Sequence, residues 1–212
     1  MKVAVVDYGM GNLFSVSRAL EHCGATVVIT DAPDVIASAP RVVLPGVGAF
    51  GNGMEGLRQL GLIDVLRERA ARDAPTLGVC LGMQMFASIS EEFGEHAGLG
   101  IIPGAVRGLE TNGLDGSRQK VPHVGWTPLM RPDGADWTSS LLGTTRELTS
   151  VYVVHSYHFV PEAQGDLLAS FVYGGRTVAA AVRRGNVTGF QFHPEKSGEA
   201  GLEMLRVFVD GR

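Results

Sequence analysis

Thr76-Leu77-Gly78-Val79-Cys80-Leu81-Gly82-Met83-Gln84 runs a short apolar stretch into a cysteine set between two glycines. A brief apolar run bounded by turn signals fits a strand buried on both faces, as in a parallel sheet. The residues after Cys80 suit a helix. Gly78 and Gly82 stand where a sharp strand-to-helix turn would drive a side chain into neighbouring backbone, so Cys80 is expected to project above the strand end. The N-terminus of the helix after it would favour the thiolate, which is the reactive form of cysteine. By itself this stretch leaves Cys80 open between a nucleophile and a packed core cysteine, since free cysteine is often buried.

Working outward, the same grammar recurs towards the N-terminus. Residues 2–7 are a β-branched run ending in Asp7-Tyr8-Gly9-Met10-Gly11-Asn12, and Leu13, Val16, Leu20 and Cys23 then fall at helical spacing. Residues 26–30 and 41–44 read as short buried strands, and 57–71 as a helix interrupted at Gly61. Strands alternating with helices define a parallel sheet covered on both faces. From about Val106 the pattern changes. Residues 151–154, 168–172, 177–183 and 187–192 read as strands, with turns at Tyr173-Gly174-Gly175 and Arg184-Gly185-Asn186 giving antiparallel hairpins. A last helix starts near Ser197, with Leu202, Leu205 and Phe208 on one face.

The 212 residues, 45% hydrophobic and 19% charged, suit one α/β unit over 1–212. A net charge of -4 and a pI near 5.8, without a basic cluster, argue against a nucleic-acid partner. The N-terminal apolar run is too short for a signal peptide or membrane span, so a cytoplasmic protein is expected. Two cysteines allow at most one disulfide, for which a chain of this size in a reducing compartment has little need. Cys23 lies on the apolar stripe of the first helix without flanking glycines, and packing explains it.

Gly189-Phe190-Gln191-Phe192-His193-Pro194-Glu195-Lys196-Ser197 supplies what Cys80 lacks. Pro194 ends the strand, and in an extended segment His193 and Glu195 point the same way. A carboxylate beside the imidazole fixes its tautomer and stabilises the imidazolium formed when the cysteine loses its proton. Both segments end strands, where an open α/β sheet places its site. No metal-ligand spacing and no phosphate-cradling Gly-Lys-Ser/Thr loop are present, and no cofactor is implied.

Gly-Val-Cys-Leu-Gly-Met-Gln with a later His-Pro-Glu resembles the class I (triad) glutamine amidotransferases over nearly the whole chain. The resemblance implies a flavodoxin-like open sheet, mostly parallel and flanked by helices, with antiparallel strands in the C-terminal half. It implies Cys80 as nucleophile, His193 as acid/base and Glu195 as orienting carboxylate. Gln84 matches a position that contacts the substrate, L-glutamine. The loop Leu44-Pro45-Gly46-Val47-Gly48-Ala49-Phe50 matches the one supplying part of the oxyanion hole, so the N–H groups of Val47 and Leu81 become its donors, with Gly46 beside the substrate. His155-Ser156-Tyr157-His158 matches a segment whose backbone holds glutamine, which singles out Ser156 and Tyr157.

The first loop, the Pro-Gly-Val-Gly loop, Lys120-Val121-Pro122-His123-Val124-Gly125-Trp126 and the His155 segment occur together in one order. Together they resemble the glutaminase subunits of imidazole glycerol phosphate synthases. That resemblance implies a cyclase (synthase) subunit built as a (β/α)8 barrel as heterodimeric partner. It puts Asn12, Lys120, His123, Trp126 and Lys196 at the interface or in its gating. Competing readings are a glutaminase serving a pyridoxal phosphate or anthranilate synthase, and a non-enzymatic cysteine sensor on the same scaffold. The last leaves His193, Glu195 and Gln84 without a role.

Overall fold

The first apolar run forms strand β1 (Lys2–Val6), whose last four residues are buried. The computed structural model describes residues 1–211, so Arg212, the end of the expected 1–212 unit, lies outside the described residues. Helix α1 (Leu13–His22) leads to β2 (Thr26–Thr30), α2 (Pro33–Ser38) to β3 (Arg41–Leu44), and α3 (Phe50–Gln59) with α4 (Leu62–Ala71) to β4 (Thr76–Val79). Next come the short helix α5 (Leu81–Gln84) and strands β5 (Ile89–Ser90), β6 (His96–Ala97), β7 (Gly104–Gly108) and β8 (His123–Pro128). The chain closes with β9 (Ser150–His155), β10 (Tyr157–Pro161), β11 (Leu167–Tyr173), β12 (Arg176–Arg184), β13 (Val187–Phe190) and α6 (Gly198–Asp210).

Seven strands make the central sheet in the order β11-β12-β13-β4-β3-β1-β2. The pairs β1/β2, β1/β3, β3/β4 and β4/β13 are parallel, whereas β12 pairs antiparallel with both β11 and β13. The parallel part is the one that the strand–helix alternation implies, the antiparallel part the one that the C-terminal turns imply, and the whole is the flavodoxin-like sheet that the family resemblance implies. Alternate residues of one strand enter opposite cores: Val3 and Val5 pack with Leu20, Leu205 and Phe208, while Ala4 and Val6 pack with Ile36, Leu57 and Leu66. Cys23 belongs to the first core. Its Sγ donates to the Leu202 carbonyl at 3.3 Å, and burial pushes its thiol up. Among the described residues no helix is long and apolar enough to cross a membrane.

Local readings shift in three places. The helix expected over 57–71 is two helices that begin at Phe50 and break around Leu60-Gly61. Glycines at 51, 53 and 56 lower its intrinsic propensity, and burial of Phe50, Met54 and Leu57 overrides this. The strand expected to reach 192 ends its ladder at Phe190. A four-stranded sheet, β10-β7-β5-β6, and the ribbon β8-β9 complete the fold; β5 and β6 have two residues each, too few to leave a period in the sequence.

In the central sheet β4 lies between β3 and β13. The chain leaving β3 becomes the loop at residues 45–49, that leaving β4 becomes the Cys80 turn, and that leaving β13 runs to His193. Three neighbouring strand ends therefore meet at one place.

Candidate active site

Cys80 occupies a backbone conformation, φ 54° and ψ -110°, that non-glycine residues rarely adopt. Its N–H donates to the Phe190 carbonyl at 2.7 Å, which ties the turn to β13. The turn is sharp enough that a Cβ on Gly82 would stand 1.8 Å from the Leu44 carbonyl oxygen. Helix α5 has only four residues, so it offers a thiolate the free N–H groups of a single turn rather than a long macrodipole. Cys80 is 8% exposed.

His193 and Glu195 meet Nδ1 to Oε1 at 2.8 Å, with side chains 3% and 1% exposed. Their segment is not extended as the sequence suggests. Pro194–Lys196 forms a 3₁₀ turn, and it is this turn that brings the carboxylate under the ring. Ser197 locks it: its hydroxyl donates to the His193 carbonyl at 2.7 Å and accepts the Tyr152 N–H at 3.0 Å. The His193 N–H in turn donates to the Tyr152 carbonyl at 2.9 Å. Burial by itself pushes the imidazole down, but the Cys80 sulfur nearby and the Glu195 carboxylate bonded to Nδ1 outweigh it and raise His193 to about 9. Nε2 is buried and has no hydrogen-bond partner of its own.

A cavity of about 240 Å³ opens between these groups. It is lined by Cys80, Leu81, Gln84 and His193 together with Val47, Glu92 and residues 154–157. The loop at 45–48 lies tight on its support, since a Cβ on Gly46 would stand 2.3 Å from the Tyr8 hydroxyl oxygen. That hydroxyl donates to the Pro45 carbonyl at 2.7 Å, and burial, with the Cys80 charge adding to it, raises Tyr8 well above the usual phenol range. The N–H of Leu81 donates to the Gly46 carbonyl at 3.3 Å, so one expected oxyanion donor is engaged by the loop itself. Val47 is 42% exposed at the cavity rim.

Gln84 is 5% exposed, and its Nε2 donates to the Tyr157 carbonyl and to Gln191 Oε1, both at 2.9 Å. Gln84 also lines the cavity. Ser156 and Tyr157 line the cavity, but their carbonyls accept from Leu109 and from Gln84 within the protein. Two groups here went unread in the sequence. Glu92, 8% exposed, faces the cavity while its Oε2 accepts the Phe50 N–H at 2.7 Å. Gln191 sits behind Cys80 at 0% exposure. An acidic residue in a hairpin carries no signal until the fold turns it towards a pocket.

The residues expected at an interface divide. Trp126, 58% exposed, meets Tyr152 edge-on at 6.0 Å, and the Lys196 ammonium lies 5.9 Å from the same ring. His123 alternates to the inner face of the β8–β9 ribbon, stacked on Tyr173 at 4.1 Å and 5.5 Å from His155. Lys120 is exposed, and its carbonyl accepts the Tyr173 hydroxyl. Asn12 caps α1, accepting the Ser15 N–H at 3.2 Å. Among the described residues no cluster of His, Cys, Asp and Glu could hold a metal ion.

A buried thiol at a strand-to-helix elbow, a histidine paired to a carboxylate and a small cavity beside both, on an open α/β sheet, are the groups that amide hydrolysis through a thioester uses. The chain belongs to the glutamine amidotransferase class-I family, whose model matches residues 4–211. It is 45% identical over 208 residues to "Imidazole glycerol phosphate synthase subunit HisH 1" of Legionella pneumophila (strain Lens), covering 98% of each chain. It is also 45% identical over 206 residues to the HisH subunit of Moorella thermoacetica, covering 97% of this chain and 93% of that one. Among solved structures, PurLQS from Thermotoga maritima superposes with a TM-score of 0.74 at 18% identity, covering 99% and 97%. A crystal structure of a glutamine amidotransferase gives 0.72 at 19%, covering 99% of both. These two likenesses speak for the fold alone.

Proposed function

We propose that this chain is the glutaminase subunit of an imidazole glycerol phosphate synthase and that Cys80, His193 and Glu195 carry its reaction. The observation behind this reading is the convergence of the strained Cys80 turn and the buried His193–Glu195 pair on one cavity, in a chain 45% identical to HisH subunits from end to end. Cys80 attacks the δ-carbonyl carbon of glutamine, the carbonyl electron pair moves to oxygen, and backbone N–H groups stabilise the oxyanion. Collapse of the intermediate expels the amide nitrogen, which His193 protonates, leaving a γ-glutamyl thioester and ammonia. Water, deprotonated by the same histidine, cleaves the thioester to glutamate and restores the thiol. Glu195 keeps Nδ1 protonated and the ring aimed throughout. The carboxylate of Glu92 and the carboxamide oxygen of Gln84 suit the α-ammonium of the substrate, which brings a positive charge and donors only.

Ammonia is a nucleophile only while unprotonated, so its use requires transfer to an acceptor site. That site is assigned to a cyclase subunit, a (β/α)8 barrel in heterodimeric association, which yields imidazole glycerol phosphate and aminoimidazole carboxamide ribonucleotide in histidine biosynthesis. The exposed Trp126 and Lys196 beside Tyr152 suit the interface, as does the helix cap Asn12; Lys120 and His123 would act through the ribbon. The cytoplasm is the compartment that fits. With Leu81 N–H donating to Gly46, the oxyanion hole is incomplete at rest. A missing donor costs about 10²–10³ in rate, so the isolated chain should be a poor glutaminase until a partner reorients the loop.

Glutamate release on mixing with a cyclase subunit tests the reading: full release by wild type and a loss of about 10⁴ or more in Cys80→Ala are expected. Turnover retained in Cys80→Ala would remove the nucleophile. Full turnover by the isolated wild-type chain would remove the gate.

A further inference from the structure

Beyond β13 the chain alternates. Phe190 and Phe192 stack on each other, with centroids 4.5 Å apart, inside the core, which turns Gln191 and His193 to the opposite side, towards Cys80. Parallel pairing sets Phe190 beside Val79, so the next residue on each strand brings Gln191 beside Cys80. Its Nε2 lies 3.8 Å from the sulfur. The orientation of this carboxamide is dictated by its neighbours. The Tyr157 carbonyl can only accept, so the group Gln84 offers it at 2.9 Å is its NH₂. The same NH₂ lies 2.9 Å from Gln191, which must answer with its oxygen and so turns its own NH₂ to Cys80.

The structure assigns Gln191 as a hydrogen-bond donor to the Cys80 sulfur, stabilising the thiolate from the side away from solvent and opposite in role to the proton-accepting His193. This rests on reading Cys80 as the nucleophile. The donor stays within bonding range of the sulfur while the thiolate forms and again when it leaves the thioester in the second half of the reaction. At 0% exposure no water competes for the contact, and the Gln84–Tyr157 chain prevents the amide from flipping. The nucleophile is thereby coupled through Gln84 to Tyr157 at the start of β10.

The test is the pH dependence of Cys80 alkylation by iodoacetamide in the full-length chain, monitored by peptide mass spectrometry with Cys23 as internal reference. Gln191→Met removes the donor at similar volume, and Gln191→Glu keeps the acceptor for Gln84 while replacing the donor beside sulfur. The alkylation midpoint should rise by about one pH unit in Gln191→Met and further in Gln191→Glu. Loss of a merely structural contact would lower thermal stability and leave the midpoint where it is. Where either variant fails to fold, Gln191→Asn serves, since its amide is too short to reach the sulfur, and the same rise is expected. An unshifted midpoint in a folded variant overturns the role of Gln191. If alkylation of Cys80 leaves partner-activated turnover intact, the reading of Cys80 itself fails, whatever Gln191 does.

Discussion

The Cys80 turn and the loop at residues 45–48 both line one cavity and are held in opposite ways. The turn is held by backbone: Cys80 N–H bonds to β13, Gly82 leaves no room for a methyl group, and the His193–Glu195 pair is buried beneath it. The loop rests on one side-chain bond from Tyr8 and on the Leu81 N–H, with Val47 exposed at its tip. On the proposed reading, nucleophile, base and the Leu81 donor are thus prebuilt, while the Val47 peptide on the loop is the oxyanion group free to reorient. On that reading a binding partner would act on rate through the loop and leave Cys80, His193 and Glu195 in place.

Five substitutions would break or sharpen this contrast. On the rigid side, Glu195→Gln keeps the shape but loses the charge and tautomer control at Nδ1, and kcat in the partner-activated reaction should fall by about 10³–10⁴. Gly82→Ala sets a methyl group against the Leu44 carbonyl and should cost about 3 kcal/mol or more, seen as a fall in Tm of roughly 6–12 °C. If Gly82→Ala melted with wild type, the tightness attributed to the turn would be wrong.

Two histidines at the same cavity should respond to pH with opposite sign. Burial, only partly offset by its bond to the Tyr157 carbonyl, pushes His155 down to about 4. Below the unfolded value of about 6.5 the unfolded chain therefore binds the extra proton, and stability declines as pH falls from 6.5 towards 4, by up to about 3 kcal/mol. His193, raised to about 9, contributes stability that is complete below about 6.5 and is lost as pH rises through 9. Tm against pH for wild type, His155→Phe and His193→Phe checks both: the first variant should flatten the acid side and the second the alkaline side. The smallest effect is on the loop. Tyr8→Phe removes the bond to Pro45 at a cost of about 1 kcal/mol and should raise the basal glutaminase rate of the isolated chain several-fold. A lower basal rate would mean that Tyr8 holds the loop in its active form.

The alternation of strands and helices up to Val79 was legible because buried parallel strands are short, apolar and punctuated by glycine. The hairpins β11–β12 and β12–β13 were legible from their Gly-containing turns. Strands β5 and β6 were not, because two residues carry no period, and α3 was not, because its glycines argue against a helix that tertiary packing nevertheless forms. At the site, Cys80 and His193 could be read from glycine spacing and from a proline stop. Glu92 and Gln191 could not, since a glutamate in a hairpin and a glutamine between two phenylalanines acquire meaning only from what the fold sets beside them.

The sequence by itself determined the strand–helix alternation up to Val79 and the later hairpins, and singled out a cysteine and a histidine at strand ends, because these are written in local residue type and spacing. Tertiary structure alone decided that three strand ends 35 or more residues apart converge on one cavity. It also decided that His193 reaches Glu195 through a 3₁₀ turn, that the Leu81 N–H is engaged by Gly46, and that an amide stands behind the sulfur. Those facts depend on parallel register and on close backbone packing, which join residues distant in sequence and leave no local trace.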